Sequence, residues 1–351
     1  MFVPVAKGLP IAVALVALAF AGCTGGDGGK DVGLPGADQG LALPTDDEPP
    51  LDLSLGVAAP VWQVGDWWSY RVEFFGALPK TYDARIVVYA EDAEAWYLTS
   101  DDRELVLRAG FQHYPTLGKV SKRDLSQFMH GQEVSFFGWP MKNGTREGPF
   151  RDFDARWSVQ LAELDTGKGK VPGFATVMRR TSDDAVILRH GYSPATKWFT
   201  NLSFAFRGGN AVDVQFALSD WGSNFTGELP VVTLLDKIHR PFPVVNAGAP
   251  APPQGQAHQQ VSIAGDRILY GAFWGGAQGE YAFCLKDQGT TFGACIGAGA
   301  PSDGAPEFEW YEATVTPGTM TVSGYAVTNG WGFLFGELYE IVDETVTLPA
   351  S

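Results

Sequence analysis

Fifteen residues, VWQVGDWWSYRVEFF at positions 61–75, constrain the fold of this chain more than any other stretch. Trp68, Tyr70, Val72 and Phe74 alternate with Trp67, Ser69, Arg71, Glu73 and Phe75. Successive side chains of a β-strand point to opposite sides of the pleat, so a period of two marks a strand with one buried face. Trp68, Tyr70, Val72 and Phe74 are assigned to that buried face. Trp67 shares the other face with Ser, Arg and Glu and reads as the exposed aromatic. Gly65-Asp66 reads as the turn that opens the strand. Period alone does not separate a filled interior from a hollow one. If the interior is hollow, Trp68, Tyr70 and Phe74 line it.

The same pattern recurs downstream. Segments 84–90 and 93–100 flank a short Glu91-Asp92 turn at hairpin spacing. RELVLRAG (103–110), GFATVMRRT (173–181), DAVILRHGYS (184–193), KWFTNLSFAFR (197–207) and NAVDVQFALSDW (210–221) read as further strands. One short helix is expected over Lys122–Gly131, with Leu125, Phe128 and Met129 on one side. Consecutive strands joined by short turns form an antiparallel meander. A flat sheet of that width would leave open edges and an uncovered face, so it is expected to curl into a barrel or half-barrel.

At 351 residues the chain is long enough for two domains plus tails. Residues 59–240 are expected to form the half-barrel. Residues 241–258 are rich in proline and read as a semi-rigid linker. Residues 259–351 carry strand-like, glycine-punctuated segments of β-sandwich length. TPGTMTV at 316–322 resembles the turn-into-strand of small extracellular sandwiches of the immunoglobulin-like or polycystic-kidney-disease type. That resemblance implies a spacer or adhesion unit. The fold class expected is therefore all-β.

The N-terminus reads as an address. Residues 1–22 hold one Lys at position 7, an apolar run from Ile11 to Ala21 and then small residues. The run is about half a bilayer span, so it reads as a signal peptide and not a membrane helix. Ala19-Phe20-Ala21-Gly22 before Cys23 resembles a lipobox, which implies lipidation of Cys23 on the outer face of the cytoplasmic membrane. Residues 23–58 are rich in Gly, Pro and Asp, lack aromatics, and read as a disordered tether reaching roughly 30–35 Å. Stable anchoring requires more than one acyl chain.

The remaining cysteines, Cys284 and Cys295, bracket a turn-rich stretch, and outside the cell such a pair is expected as a disulfide. Its stabilisation would be roughly 2–3 kcal/mol. Asn143, Asn201 and Asn224 each begin an N-x-Ser/Thr acceptor triplet for N-glycosylation. A formal charge of −15 argues against nucleic acid, which needs a basic stripe, and against charge-driven binding to anionic lipid. The five histidines, at 113, 130, 190, 239 and 258, form no metal-ligand spacing. No nucleophile elbow or phosphate loop occurs, and the paired acids Asp101-Asp102, Asp152/Asp154 and Asp183-Asp184 read as solvated turns. No catalytic residue, metal or cofactor is assigned. A hydrolase would need two facing carboxylates in a cleft, and none of the 40 acidic residues stands out as such a pair.

Three short motifs carry a resemblance. W-x-x-G-D-x-W-x-Y at 62–70, FFGWPMKNG at 136–144 and YSPATKWF at 192–199 resemble uncharacterised exported lipoproteins of archaea and some bacteria. Their spacing along a meander is similar to the half-barrels of lipoprotein carriers and related lipid-binding periplasmic proteins. The resemblance implies a fold, an extracytoplasmic location and, by analogy, an apolar ligand or lipid. Two functional readings follow. In the first, the half-barrel holds that ligand. In the second, the chain is an envelope structural or adhesion protein that binds glycans or proteins through exposed aromatics such as Trp67, Trp198 or Trp331.

Overall fold

The computed structural model describes residues 52–349 except 76–78, 113–115, 130–131, 151–152, 206–211, 240–253, 277–278, 288–294, 297–306 and 329–331. The signal peptide, Cys23, all but the end of the tether, most of the linker and Trp331 lie outside the described residues.

The chain is all-β with one α-helix among the described residues. The first part runs β1 (Trp67–Phe74), β2 (Lys80–Glu91), β3 (Ala95–Ser100), α1 (Arg103–Gln112), β4 (Gly118–Ser121), β5 (Gln127–Met129) and β6 (Gln132–Val134). It continues with β7 (Gly144–Phe150), β8 (Phe153–Thr166), β9 (Gly169–Arg180), β10 (Val186–Ser193), β11 (Trp198–Phe204) and β12 (Val214–Gly222). These twelve strands form one sheet, ordered β6-β5-β4-β3-β2-β1-β12-β11-β10-β9-β8-β7.

That order is two six-stranded meanders fused along one seam. Within each meander, neighbours in sequence are neighbours in the sheet. The seam is the antiparallel pairing of β1 with β12, from Trp67↔Gly222 to Phe74↔Val214. The strands at the two edges, β6 and β7, are consecutive in sequence, so the chain between them must cross from one edge to the other. Phe136, Phe137 and Met141 of that crossing are buried in the main core. The crossing therefore fills the concave side of the curved sheet instead of running over its surface.

The single helix lies at Arg103–Gln112, where alternation had suggested a strand. Its start signal is Asp102, whose carboxylate accepts the Leu105 N–H (3.0 Å), an N-cap arrangement. Leu105 and Ala109, four apart on one helix face, enter the main core. Leu107, on the opposite face, packs with Leu269, Tyr339 and Ile341. The helix expected over Lys122–Gly131 is instead a turn followed by β5. Leu125 sits at φ +56°, outside helical backbone, and Asp124 caps the turn by accepting the Ser126 N–H (3.1 Å).

The C-terminal part comprises β13 (Gly227–His239), β14 (Gln254–Ile263), β15 (Arg267–Gly276), β16 (Gly279–Asp287), β17 (Cys295–Ile296), β18 (Glu307–Thr314), β19 (Gly318–Thr328) and β20 (Gly332–Leu348). They form two four-stranded sheets, β13-β20-β15-β18 and β14-β19-β16-β17. Ile268, Tyr270 and Leu338 of the first sheet share a core with Val261, Phe283, Met320 and Val322 of the second, the arrangement of a β-sandwich. Gly227–His239, expected within the half-barrel, pairs along its length with β20. The half-barrel sheet thus ends at Gly222, and β14 begins inside the expected linker at Gln254.

Helix α1 is also pinned to the sandwich by charge. Arg103 bonds Glu312 (2.8 and 2.9 Å) and Asp343 (2.7 Å), and Arg267 pairs with the same two carboxylates. The Arg103 hydrogen bond is the main cause holding the Glu312 carboxyl below its usual range. Leu107→Ala is expected to cost about 2–5 kcal/mol and to lower the melting temperature without loss of β-sheet signal. Chemical denaturation followed by far-ultraviolet circular dichroism checks this.

Candidate functional site

The three motifs converge on one aromatic cluster at the end of the half-barrel where β1 begins. Trp62 precedes β1, and its ring centroid lies 5.1 Å from Trp68, 5.1 Å from Trp96 and 4.5 Å from Trp198. Phe137 from the crossing segment stacks on Phe199 (4.9 Å, 24°) and contacts Trp198 and Tyr192 at 5.7 and 5.6 Å. The first and third motifs are also bonded to each other. Trp68 donates its indole N–H to the Thr196 carbonyl (2.6 Å), Trp62 to that of Lys197 (3.0 Å), and Tyr70 its hydroxyl to that of Phe199 (2.6 Å). A buried indole or phenol usually finds such a partner, and the YSPATKWF backbone supplies these three, whereas the buried indole N–H groups of Trp96 and Trp198 in the same cluster have no protein partner.

The Gly65-Asp66 turn is locked in the same way. Gly65 adopts φ +93°, a conformation that favours glycine. Asp66 is buried; its carboxylate accepts the Ser223 hydroxyl (2.5 Å) and the Gln63 N–H (3.1 Å), with the Lys197 ammonium 3.6 Å away. Each fixed position of the W-x-x-G-D-x-W-x-Y motif therefore has a structural task.

The cavity-lining candidates Trp68, Tyr70 and Phe74 and the surface candidate Trp198 are all at most 2% exposed. Their rings meet one another or neighbouring aromatics: Trp68 meets Trp198, Tyr70 meets Phe216, Phe74 meets Tyr82 and Trp198 meets Phe199. Burial pushes the Tyr70 hydroxyl well above its ordinary range, so the phenol stays protonated and donating. Trp198, expected at the surface, is the most enclosed of the four. Trp67 is half-buried beneath a small cluster with Phe225, Leu229, Val346 and Leu348, and the Arg85 guanidinium sits 4.6 Å over its ring. The outer face of β1 at this point thus supports the start of β13 and the end of β20.

Sequence reading missed a polar inclusion in this core. His190 is fully enclosed; its Nε2 lies 3.2 Å from the Phe136 carbonyl and its Nδ1 has no protein partner. Burial lowers its pKa to about 3, so the ring is neutral. Nearby on the same run of strands, Arg146 lies over the Trp157 ring at 4.2 Å, with Nε and Nη2 unpaired by protein atoms. Burial lowers the Arg146 pKa. His190 and Arg146 have no sequence neighbours that mark them, since only the sheet register brings β7 to β10 together.

Of the glycosylation candidates, Asn143 and Asn224 are exposed at turns, and Asn201 lies partly buried within β11. Cys284 and Cys295 are direct cross-strand partners in the β16–β17 pair. Among the described residues no group of three or more His, Cys, Asp or Glu is placed to hold a metal ion.

No family model matches the chain. No curated protein matches it either. Solved structures similar in part include TmCBM61 in complex with β-1,4-galactotriose, at 15% identity and a TM-score of 0.20, covering 34% of this chain and 72% of that one. Another is a glycoside hydrolase family 43 arabinoxylan arabinofuranohydrolase from Bacillus subtilis, at 10% identity and a TM-score of 0.18, covering 76% of this chain and 56% of that one. A third is an exo-β-1,3-galactanase from Phanerochaete chrysosporium, at 7% identity and a TM-score of 0.18, covering 77% and 68%.

Two outcomes test this description. Trp68→Phe replaces the buried indole with a smaller phenyl, which removes one hydrogen bond, leaves the Thr196 carbonyl unpaired and opens a cavity; a loss of about 2–4 kcal/mol in denaturant unfolding is expected. For His190, the unfolded state takes up a proton near pH 6.5 while the folded state resists until about pH 3. Stability therefore falls as pH drops through that window. His190→Gln is expected to flatten that part of the melting-temperature profile.

Proposed function

We propose that this chain is an exported, lipid-anchored, non-enzymatic protein of the cell envelope that acts through its surface, binding glycan or protein. The observation that carries this reading is the filled half-barrel. A carrier of apolar cargo needs apolar side chains that face an empty volume. The side chains positioned for that task instead bury their rings against neighbouring aromatics, and Trp68 and Tyr70 commit their polar atoms to backbone carbonyls.

The anchor and export rest on the lipobox-like sequence ending at Cys23 and on the aromatic-free segment after it. A disulfide between Cys284 and Cys295 belongs to the same reading, supported by their facing positions in β16 and β17. Asn143 and Asn224 are the acceptors open to glycosylation. Surface contact falls to exposed apolar side chains such as Phe75, Phe128 and Tyr311, since Trp67 and Trp198 are already used internally.

Native mass spectrometry of the chain purified from its own host tests the proposal. The expected mass is the processed polypeptide with its covalent lipid, any glycan and one disulfide, unchanged by organic extraction. A stoichiometric extra mass removed by that extraction would restore the carrier reading.

A further inference from the structure

The first described residues form a strap across the end of the half-barrel where β1 begins. Leu53 to Gly65 contains no charged side chain, in a chain whose formal charge is −15. Leu53 and Trp62 point inward and are buried. Val57 is bridged to Met141, and Trp62 is tied to Lys197. The strap is thus held at several points along its length. Between the fixed points Leu55 is 83% exposed and Val61 78% exposed, and Val64 is also exposed. Isolated apolar side chains on a surface need no explanation. Three of them projecting from one fixed, uncharged segment do.

We infer that this strap is a membrane-contact surface, with Leu55, Val61 and Val64 entering the interfacial layer of the bilayer that receives the Cys23 lipid. This rests on the lipid-anchor reading proposed above. The reason for choosing a bilayer is where the anchor's chain enters the fold. Cys23 lies 29 residues before Asp52 in the chain. The strap is the first part of the fold that this chain meets. Exposed Lys142 lies beside Gly56, at a position where its ammonium can meet headgroups while its stem covers apolar surface. Of the acidic groups at this end, exposed Asp52 accepts the Ser54 N–H, Asp66 is buried and bonded, and Asp220 pairs with Lys168. The contact is aliphatic, which agrees with the acidic charge of the whole chain. One acyl chain gives only reversible binding, and a second, protein-borne contact would strengthen it while fixing which face of the fold looks outward.

The test uses the full exported chain carrying Cys23→Ser, collected without lipid, and vesicles of phosphatidylcholine with one-fifth phosphatidylglycerol. Flotation is expected to recover this chain with the vesicles. Adding Leu55→Asp and Val61→Asp is expected to reduce the bound fraction about 10-fold or more. Both positions are exposed, so an unchanged melting temperature confirms that the fold survives. No vesicle binding by the Cys23→Ser chain, or equal binding with and without the aspartates, overturns the inference. So does a dimer, seen by sedimentation, that the same aspartates dissociate, because the strap would then belong to a second copy. Detergent-phase partition of the unaltered chain against Cys23→Ser reports the anchor separately, so failure of either idea is distinguishable from failure of the other.

Discussion

Three hydrogen bonds across the seam of the large sheet organise the rest of the half-barrel. Trp62, Trp68 and Tyr70 donate to the backbone carbonyls of Lys197, Thr196 and Phe199, more than 125 residues away in the chain. They fix the β10–β11 turn against the start of β1. That in turn sets where Trp198 and Phe199 lie, and those rings receive Phe137 from the segment that crosses between the sheet edges. Without polar partners these large side chains would carry an unpaired N–H or O–H into the core, at a cost comparable to the gain from burying them. With partners, an aromatic interior becomes a specific one.

This arrangement changes what the aromatic motifs mean. Clusters of tryptophan invite a binding-site interpretation, and the alternation in VWQVGDWWSYRVEFF is equally compatible with a lined cavity. The geometry assigns each aromatic of the cluster to internal packing. Trp67, on the opposite face, supports the junction with the sandwich through Leu229 and Leu348. The function proposed above therefore draws on the surface, where the uncharged strap and exposed aromatics such as Phe75 and Tyr311 lie.

Much of the fold was legible because β-structure writes itself locally. The period of two in Trp68-Tyr70-Val72-Phe74 and the Glu91-Asp92 turn needed no distant information. The two helix assignments failed for a physical reason. Arg103–Gln112 has its apolar residues on two opposite faces because it packs between two cores, so it lacks the single stripe of a surface helix and resembles an alternating strand. Only the Asp102 cap distinguished it. Lys122–Met129 shows a plausible stripe, but the left-handed Leu125 and the Asp124 cap turn the backbone instead. The placement of β13 was illegible for another reason. Its strand character is local, but its pairing with β20 joins residues about a hundred positions apart. The site was legible in residue type and not in role, since Asp66, His190 and Arg146 acquire their partners, or lack them, only through the register of the sheet.

The central claim is that the half-barrel interior is filled and dry around the indoles of Trp62 and Trp68. Hydrogen exchange of their Nε1–H groups, followed by nitrogen-15 NMR after transfer to deuterium oxide, measures this directly. The structure predicts two indole resonances that persist for hours under native conditions and exchange only with opening of the seam. Loss of both signals within seconds would show that water reaches them, and the interior would then be a cavity open to a ligand.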